Sequence, residues 1–373
     1  MVRQRTPSNV TLSRWYNPFV DENMANNGAR SSAARLRELV AGFTGRRVLV
    51  LGDMVADEYI VGRPVRLSRE APIPVLDWVD RYIVPGGATN LAHNVRSLGG
   101  EVAVAGVIGA DEPGDALRQR LVEAGIGVEG LAVEVGRPTS TKTRVVGGSP
   151  QVVSQQIARI DRVAPGEIGE AAKGHIIAYL RRELPRADAL IISDYENGVI
   201  NESIIAAALP LAQEYGHVIT VDAHGDLWRF RGVTVATPNQ DEAAASLRMP
   251  LRGDDDVCRG GAELVRTMEA RGVLITRGSE GMTLVEASGV CHHIPATPAR
   301  EVRDATGAGD TVSAAVTLAL TAGASLVDAA HLGNLAAGIV VQRLGAASTT
   351  QGQLEEAIAA STSVDPPTDG RGH

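Results

Sequence analysis

The chain has 373 residues, 44% of them hydrophobic, and a formal net charge of -8. That is enough apolar material for one large α/β domain or two ordinary ones, and the acidic balance argues against a nucleic-acid binder held by bulk electrostatics. No apolar run reaches the roughly 18 residues of a membrane span, and the start lacks the basic-then-apolar pattern of a signal peptide, so a soluble cytoplasmic protein with no membrane or nucleic-acid partner is expected.

Residues 1–32 are polar and irregular and read as a flexible extension. Its Trp15, Tyr16 and Phe19 either dock on the body or belong to a mobile tail. A single domain is expected over 33–361, opening with a short helix at 33–44, and 362–373 reads as a disordered tail. Strands are expected at 47–53, 102–109, 189–195, 218–223, 234–239 and 272–278, and helices at 112–124, 168–184, 201–215, 254–271, 309–322 and 325–343. Short apolar strands alternating with helices predict an α/β fold, a three-layer α/β/α sandwich around a mostly parallel sheet. Segments 58–84 and 137–161 lack intervening helices and predict a small β-sheet lid over the carboxyl ends of the parallel strands. A flap too small for its own core must bury its apolar face, with Val61, Val65, Ile73, Val75, Leu76, Val145 and Val146, against something; a homodimer through the lid is the expected answer. The two cysteines, Cys258 and Cys291, make neither a disulfide framework nor a metal cluster and read as ordinary small residues in a reducing compartment.

Four strands end in polar residues on the edge where open α/β sheets bind ligands: Asp53 (with Asp57 four residues on), Asp194, Asp222, and Asn239 followed by Glu242. One such residue alone reads as a helix cap; four on one edge point to a shared site. The stretch DATGAGDT, residues 304–311, sets bare backbone at Gly307, Ala308 and Gly309 before one acid, Asp310, at a helix mouth. Glycines and a helix start direct N–H groups outward and make an anion hole. An acid there repels a phosphate but suits a base that takes a hydroxyl proton while the hole holds phosphoryl charge; the alternative is a helix cap. PGGATNLAHN, residues 85–94, offers Gly86, Gly87 and Asn90 to a polyol, or is a tight strand–helix turn. The first strand leads into GDMVAD, without the G-x-G-x-x-G of a dinucleotide site.

Together, the GG-x-x-N element (Gly86 to Asn90), the N-x-x-E element (Asn239 to Glu242), TRGSEG (276–281) and DATGAGDT resemble the PfkB/ribokinase family of sugar kinases, from about Arg47 to Thr350. Within it, GDMVADEY, VRLSREAPIPVL, QQIARID and SDYENG are similar to D-glycero-D-manno-heptose 7-phosphate kinases. The resemblance implies a ribokinase-like fold and an ATP- and Mg²⁺-dependent transfer of phosphate to a sugar or sugar-phosphate hydroxyl. It makes Asp310 the catalytic base, with Gly307, Ala308 and Gly309 in the anion hole. Asn239 and Glu242 would hold the ATP phosphates and Mg²⁺, partly through water. Thr276, Arg277, Gly278 and Gly281 would line the nucleotide site, and Asn334 would lie beside the adenine. Asp53, Asp57, Gly86, Gly87, Asn90, Arg159 and Asp194 fall to the sugar side. Some relatives bind a monovalent cation such as K⁺, and Asp304, Thr306, Arg343 and Gly345 match that loop. The pattern departs at Asn197 and His224, where the heptose kinases carry lysine. The bifunctional relatives carry a nucleotidyltransferase domain, for which the 23 residues after Thr350 are too few, so the kinase part alone is expected. The alternatives are a PfkB-type kinase for another sugar phosphate or a nucleoside, and a catalytically weak sugar- or nucleotide-binding protein.

Overall fold

The computed structural model describes residues 32–149, 152–164, 166–298, 304–343, 345 and 347–362. The N-terminal extension with Trp15, Tyr16 and Phe19, and the tail from residue 363, lie outside the described residues. After α1 (Ala33–Ala41), β1 (Arg47–Gly52) runs on into β2 (Met54–Leu67), with Asp53 alone between them. Strand β3 (Pro74–Gly87) returns antiparallel to β2 and feeds α2 (Ala88–Ser97). Next come β4 (Glu101–Gly109), α3 (Glu112–Glu123), β5 (Gly127–Glu134), β6 (Ser140–Ser149), β7 (Val152–Arg162) and α4 (Glu170–Glu183). The middle of the chain holds β8 (Ala189–Asp194), α5 (Glu202–Glu214), β9 (Val218–Ala223), β10 (Val235–Ala236), α6 (Gln240–Leu247), α7 (Gly253–Met268) and β11 (Gly272–Thr276). The hairpin β12 (Met282–Glu286) and β13 (Cys291–Ile294) precedes α8 (Ala308–Thr321), α9 (Leu326–Val340) and α10 (Gln351–Thr362).

Nine strands form one sheet in the order β13-β12-β11-β10-β9-β8-β1-β4-β5. It is parallel from β5 to β11; β12 runs antiparallel to β11, and β13, antiparallel to β12, returns to the common direction. Side chains alternate across it as the period of two demands. In β1, Val48 and Val50 pack into a core with α2, α8 and α9, while Leu49 and Leu51 pack into a second core with α4, α5 and α7. This is the expected three-layer α/β/α sandwich. The lid is a separate four-stranded sheet, ordered β3-β2-β6-β7. Because β2 leaves β1 and β3 returns to α2, the lid is rooted at the carboxyl edge of the main sheet.

Two local expectations are corrected. The strand expected over 234–239 shrinks to Val235–Ala236, because Pro238 has no N–H to give a ladder; Asn239 makes one bridge to Thr276 and caps α6. The hairpin β12–β13 and the helix α2 were not separated from their surroundings in the sequence. Cys258 and Cys291 are not independent small residues: α7 packs on the β12–β13 edge, sets their Cα atoms 5.9 Å apart, and they form a disulfide.

Gly281, the last residue of the TRGSEG stretch, is held at φ 89° and ψ −123°, a region closed to residues with a Cβ. A Cβ there would stand 2.1 Å from the carbonyl oxygen of Ile294 and 2.4 Å from the amide of Ala296. Both are backbone and cannot swing away. Gly281→Ala is therefore expected to destabilise the fold by about 3 kcal/mol or more. Chemical denaturation reads this as a lower midpoint; an unchanged midpoint contradicts it.

Candidate active site

The centre of the site is Asp310, in the first turn of α8 and 5% exposed. Gly307 enters the helix at φ 77°, which only glycine takes without strain. A Cβ added at Gly309 would meet open space, so the helix mouth has room in front of it. Asn90 Nδ2, on α2, donates to Asp310 Oδ2 at 2.5 Å, and the Tyr195 hydroxyl donates to Oδ1 at 3.3 Å. Burial pushes the Asp310 carboxyl up to about 6; the Asn90 and Tyr195 hydrogen bonds oppose that, Asp57 adds to it and Lys142 counters it. Asp222, at the end of β9, is raised to about 8 by burial and by the nearby charges of Asp310 and Glu242.

Lys142 and Arg144, which sequence reasoning missed, stand beside this cluster. They sit two apart on β6, so they share one face, and Arg144 lines a cavity of about 360 Å³ beneath the lid with Tyr59, Tyr82, Asp304 and Thr306. The Lys142 ammonium stands 4.7 Å from the centroid of the Tyr195 ring. Arg144 Nη1 approaches Asp57 Oδ1 at 2.8 Å, both side chains being nearly buried. That contact is an ion pair without hydrogen-bond geometry, and Asp57 Oδ1 accepts no hydrogen bond. Gly86 makes room for this carboxylate, since a Cβ there would lie 2.7 Å from Asp57 Cγ. The signal was the alternation in STKTRVV, which puts two cations on one side of a strand.

Two strand-end acids face inward instead. Asp53 takes hydrogen bonds from the amides of Tyr195, Asn197 and Val199, and burial raises its carboxyl against that support. Asp194 accepts from the Glu196 amide and pairs with Arg229 at 3.1 Å; burial raises it to about 6. Both therefore fix the turn that presents Tyr195. Gly87, at φ 53°, starts α2, where a Cβ would strike the Asp53 carbonyl at 2.8 Å. On β7, Arg159 makes a bidentate pair with Asp161 at 2.8 and 2.7 Å. Asn197, one of the departures, has its amide on Asp53 and its carbonyl on Arg137.

On the other side, Asn239 and Glu242 form a reciprocal capping box at the start of α6, at 2.9 and 2.8 Å. The second Glu242 oxygen lies 2.5 Å from His224 Nδ1. This hydrogen bond raises the His224 pKa, against burial, and favours its cationic form. The Arg277 guanidinium is turned into the protein, on Asp254, Glu280, Gln240 and Thr283. Thr276 donates its amide to Pro238, and Gly278 turns the loop at φ 55°. Asn334 Nδ2 donates to the Pro295 carbonyl at 2.8 Å. Asp304 accepts from the amides of Thr306 and Gly345, each at 2.9 Å. Burial pushes its carboxyl up, but the Thr306 hydroxyl and those amides outweigh it and hold the pKa low. The Arg343 guanidinium points away, to the Ser348 carbonyl.

One edge of an α/β/α sandwich thus gathers a buried acid at an open helix start, a capped acidic turn and a basic lid strand. Residues 80–352 match the family described as pfkB family carbohydrate kinase. The chain belongs to that family. Among pfkB relatives, it is 41% identical to the bifunctional protein HldE of Geobacter metallireducens, over 82% of this chain and 61% of that protein. It is 38% identical to the bifunctional protein HldE of Paramagnetospirillum magneticum, over 87% of this chain and 65% of that one. The chain spans roughly three fifths of the curated relatives it matches. Its fold is that of Arabidopsis thaliana ribokinase, solved with ribose and ATP, at TM-score 0.65 and 18% identity over 84% of this chain and 99% of that one. Phosphofructokinase-2 from Escherichia coli, solved with substrates and products, aligns at TM-score 0.69 and 20% identity, over 85% and 99%. Among the described residues no helix is long and apolar enough to cross a membrane.

Proposed function

We propose that this chain is an ATP- and Mg²⁺-dependent kinase that phosphorylates a hydroxyl of a heptose 7-phosphate. The observation that carries this reading is the buried Asp310 carboxylate at the open start of α8, held by Asn90 and Tyr195 beside a lid strand bearing Lys142 and Arg144. The acceptor hydroxyl attacks the γ-phosphorus as the bond to the β-phosphate's bridging oxygen breaks; its proton passes to Asp310 and ADP leaves. The amides of Gly307 and Gly309 at the start of α8 face the developing phosphoryl charge, while the Ala308 amide, expected to join them, is donated to the Ala305 carbonyl at 3.2 Å. The sugar lies beneath the lid, against the wall where Asp57 Oδ1 accepts a hydrogen bond from a hydroxyl and Asn90 orients both acceptor and base. Asp53, Asp194, Gly86 and Gly87 shape that wall. Lys142 and Arg144 meet the acceptor's own phosphate, with Arg159 nearby, and so supply the positive charge that Asn197 does not.

The residues present fit a magnesium ion. Asp222, Asp310 and Glu242 bring carboxylate oxygens, the donors Mg²⁺ prefers, into one cluster, where burial first and then the charges of Asp310 and Glu242 raise Asp222. Both Glu242 oxygens already hold one partner each, so Asn239 and Glu242 would reach the ion partly through water. When bound, Mg²⁺ neutralises charge on the ATP phosphates. Thr276, Gly278 and Gly281 shape the nucleotide loop, Arg277 braces it from behind, and Asn334 borders the adenine. For K⁺, the Asp304 carboxylate is taken by amides and Arg343 by Ser348, which leaves backbone carbonyls of the turns at Thr306 and Gly345 as donors.

The test is ADP release across sugars, sugar phosphates and nucleosides. Heptose 7-phosphate should give the highest kcat/KM. A preference for a nucleoside or another phosphosugar would remove the heptose assignment and keep the kinase.

The lid also supports a homodimer. Trp78, Leu67, Ile160 and Ile73 are 71%, 69%, 62% and 56% exposed on it, an apolar face of the kind that monomers cover. Val61 and Val146 instead turn inward to the cavity. Sedimentation at micromolar concentration should give twice the chain mass of 39.1 kDa, and Trp78→Glu should return it to that mass. A wild-type monomer contradicts the reading.

A further inference from the structure

Cys258, on α7, and Cys291, at the start of the edge strand β13, are joined by the disulfide. His293 lies two residues beyond Cys291 on the same face of β13. Its Nε2 is 3.4 Å from Cys258 Sγ and 4.0 Å from Cys291 Sγ. The three ligand atoms all lie within 4.8 Å of one another. The ring is aimed from behind: Nδ1 lies 2.9 Å from Oγ1 of the fully buried Thr283. Thr283 Oγ1 in turn accepts from Arg277 Nη1 at 3.3 Å, and Arg277 is fixed by Asp254 at 2.7 Å. Both cysteines are half-buried and His293 is exposed, so a reductant and an ion can reach them.

We propose that, once the disulfide is reduced, Cys258, Cys291 and His293 bind one thiophilic divalent cation, with Zn²⁺ as the type, and that the disulfide is the metal-free state of the same site. A tetrahedral zinc with Zn–S of about 2.3 Å and Zn–N of about 2.0 Å sets its ligand atoms roughly 3.5–3.8 Å apart. The two nitrogen–sulfur distances already bracket that span, so only the sulfurs have to separate. A dithiol reductant supplies two electrons and two protons, the Sγ–Sγ bond breaks, and the reductant leaves as its own disulfide. Zn²⁺ then binds both thiolates, and the two thiol protons are released to solvent. Neutral His293 gives its Nε2 lone pair to the ion and its Nδ1–H to Thr283 Oγ1, the outer hydrogen bond that fixes a ligating imidazole. Three protein ligands leave the fourth position to water. The cysteines are 33 residues apart with no short C-x-x-C step, which is why the sequence does not advertise the site.

The experiment uses the full chain, reduced by a phosphine, freed of reductant without oxygen, and titrated with Co²⁺ in excess Mg²⁺, followed by Zn²⁺. One equivalent of Co²⁺ should give thiolate-to-cobalt charge-transfer absorption, which Zn²⁺ abolishes, and the untreated disulfide form should give none. Cobalt at carboxylates cannot produce this absorption. Thr283→Val should weaken binding about tenfold at unchanged stoichiometry, and His293→Ala should weaken it further. The proposal is overturned if the phosphine frees no thiols from the folded chain. It is equally overturned if bound cobalt shows no charge-transfer absorption, or if His293→Ala binds undiminished.

Discussion

Asp310→Asn is expected to lower kcat by about 10²- to 10⁴-fold while leaving ATP affinity within a few-fold of wild type. The carboxamide keeps the size of the side chain and can still pair with Asn90 and Tyr195, but it cannot take a proton from the acceptor. The substitution leaves the backbone amides at the start of α8 unchanged, so the proposed anion hole should remain. Two readouts separate this from a general loss of structure. Calorimetric titration with ATP should still report binding. The wild-type kcat/KM should rise with pH through about 6, because burial lifts the Asp310 carboxyl to that value and only its charged form is a base. The sign is fixed by the chemistry: as pH falls below the raised pKa the base becomes protonated and the rate falls, by about tenfold per unit. The residual activity of Asp310→Asn should lack that acid limb. Because Asp222, Glu242 and His224 share the same field, the limb reports the cluster, with Asp310 as its catalytic member. A variant that keeps more than a tenth of wild-type kcat contradicts the base assignment.

The second large effect belongs to Lys142. Lys142→Met should cost about ten- to a hundredfold in kcat/KM for a phosphorylated acceptor, the size of one charge-assisted contact of roughly 1.5–3 kcal/mol. Methionine keeps most of the stem and loses the ammonium that stands over Tyr195. Lys142 also lowers the pKa of Asp310, so its removal should move the acid limb of the rate to higher pH. That shift is the diagnostic readout, since a merely structural role would not produce it. Lys142→Arg should restore the limb at least in part. Equal losses with phosphorylated and unphosphorylated acceptors, with no shift of the limb, would assign Lys142 to lid stability.

Much of this arrangement was legible in the sequence, and the reasons for the rest are physical. Alternating β-rich and helical runs gave the sandwich, and segments without helices gave the lid, because periodicity is local. TGAGD gave the open helix start, because glycine takes the positive φ at Gly307 and leaves the helix mouth without a side chain. What the sequence did not show was whatever depends on a distant partner. Asp53 and Asp194 stand at strand ends as expected, yet amides from 195–199 and the Arg229 guanidinium occupy them. A strand-end carboxylate looks the same in sequence whether it meets a ligand or the next turn. Asn239 and Glu242 read as phosphate-side residues, and the structure adds that they cap α6. Lys142 and Arg144 carry no motif, and only their two-residue spacing on a lid strand marks them in the sequence. The cysteine pair needed the packing of α7 on the sheet edge, which 33 residues of separation hide.

The most direct measurement is a ³¹P NMR time course with the chain, ATP, Mg²⁺ and D-glycero-D-manno-heptose 7-phosphate. The account predicts one new phosphate-ester resonance on the sugar growing in step with ADP, and neither signal with Asp310→Asn on the same timescale. Free phosphate appearing with ADP regardless of the sugar, or no ADP with any sugar, sugar phosphate or nucleoside, would contradict it.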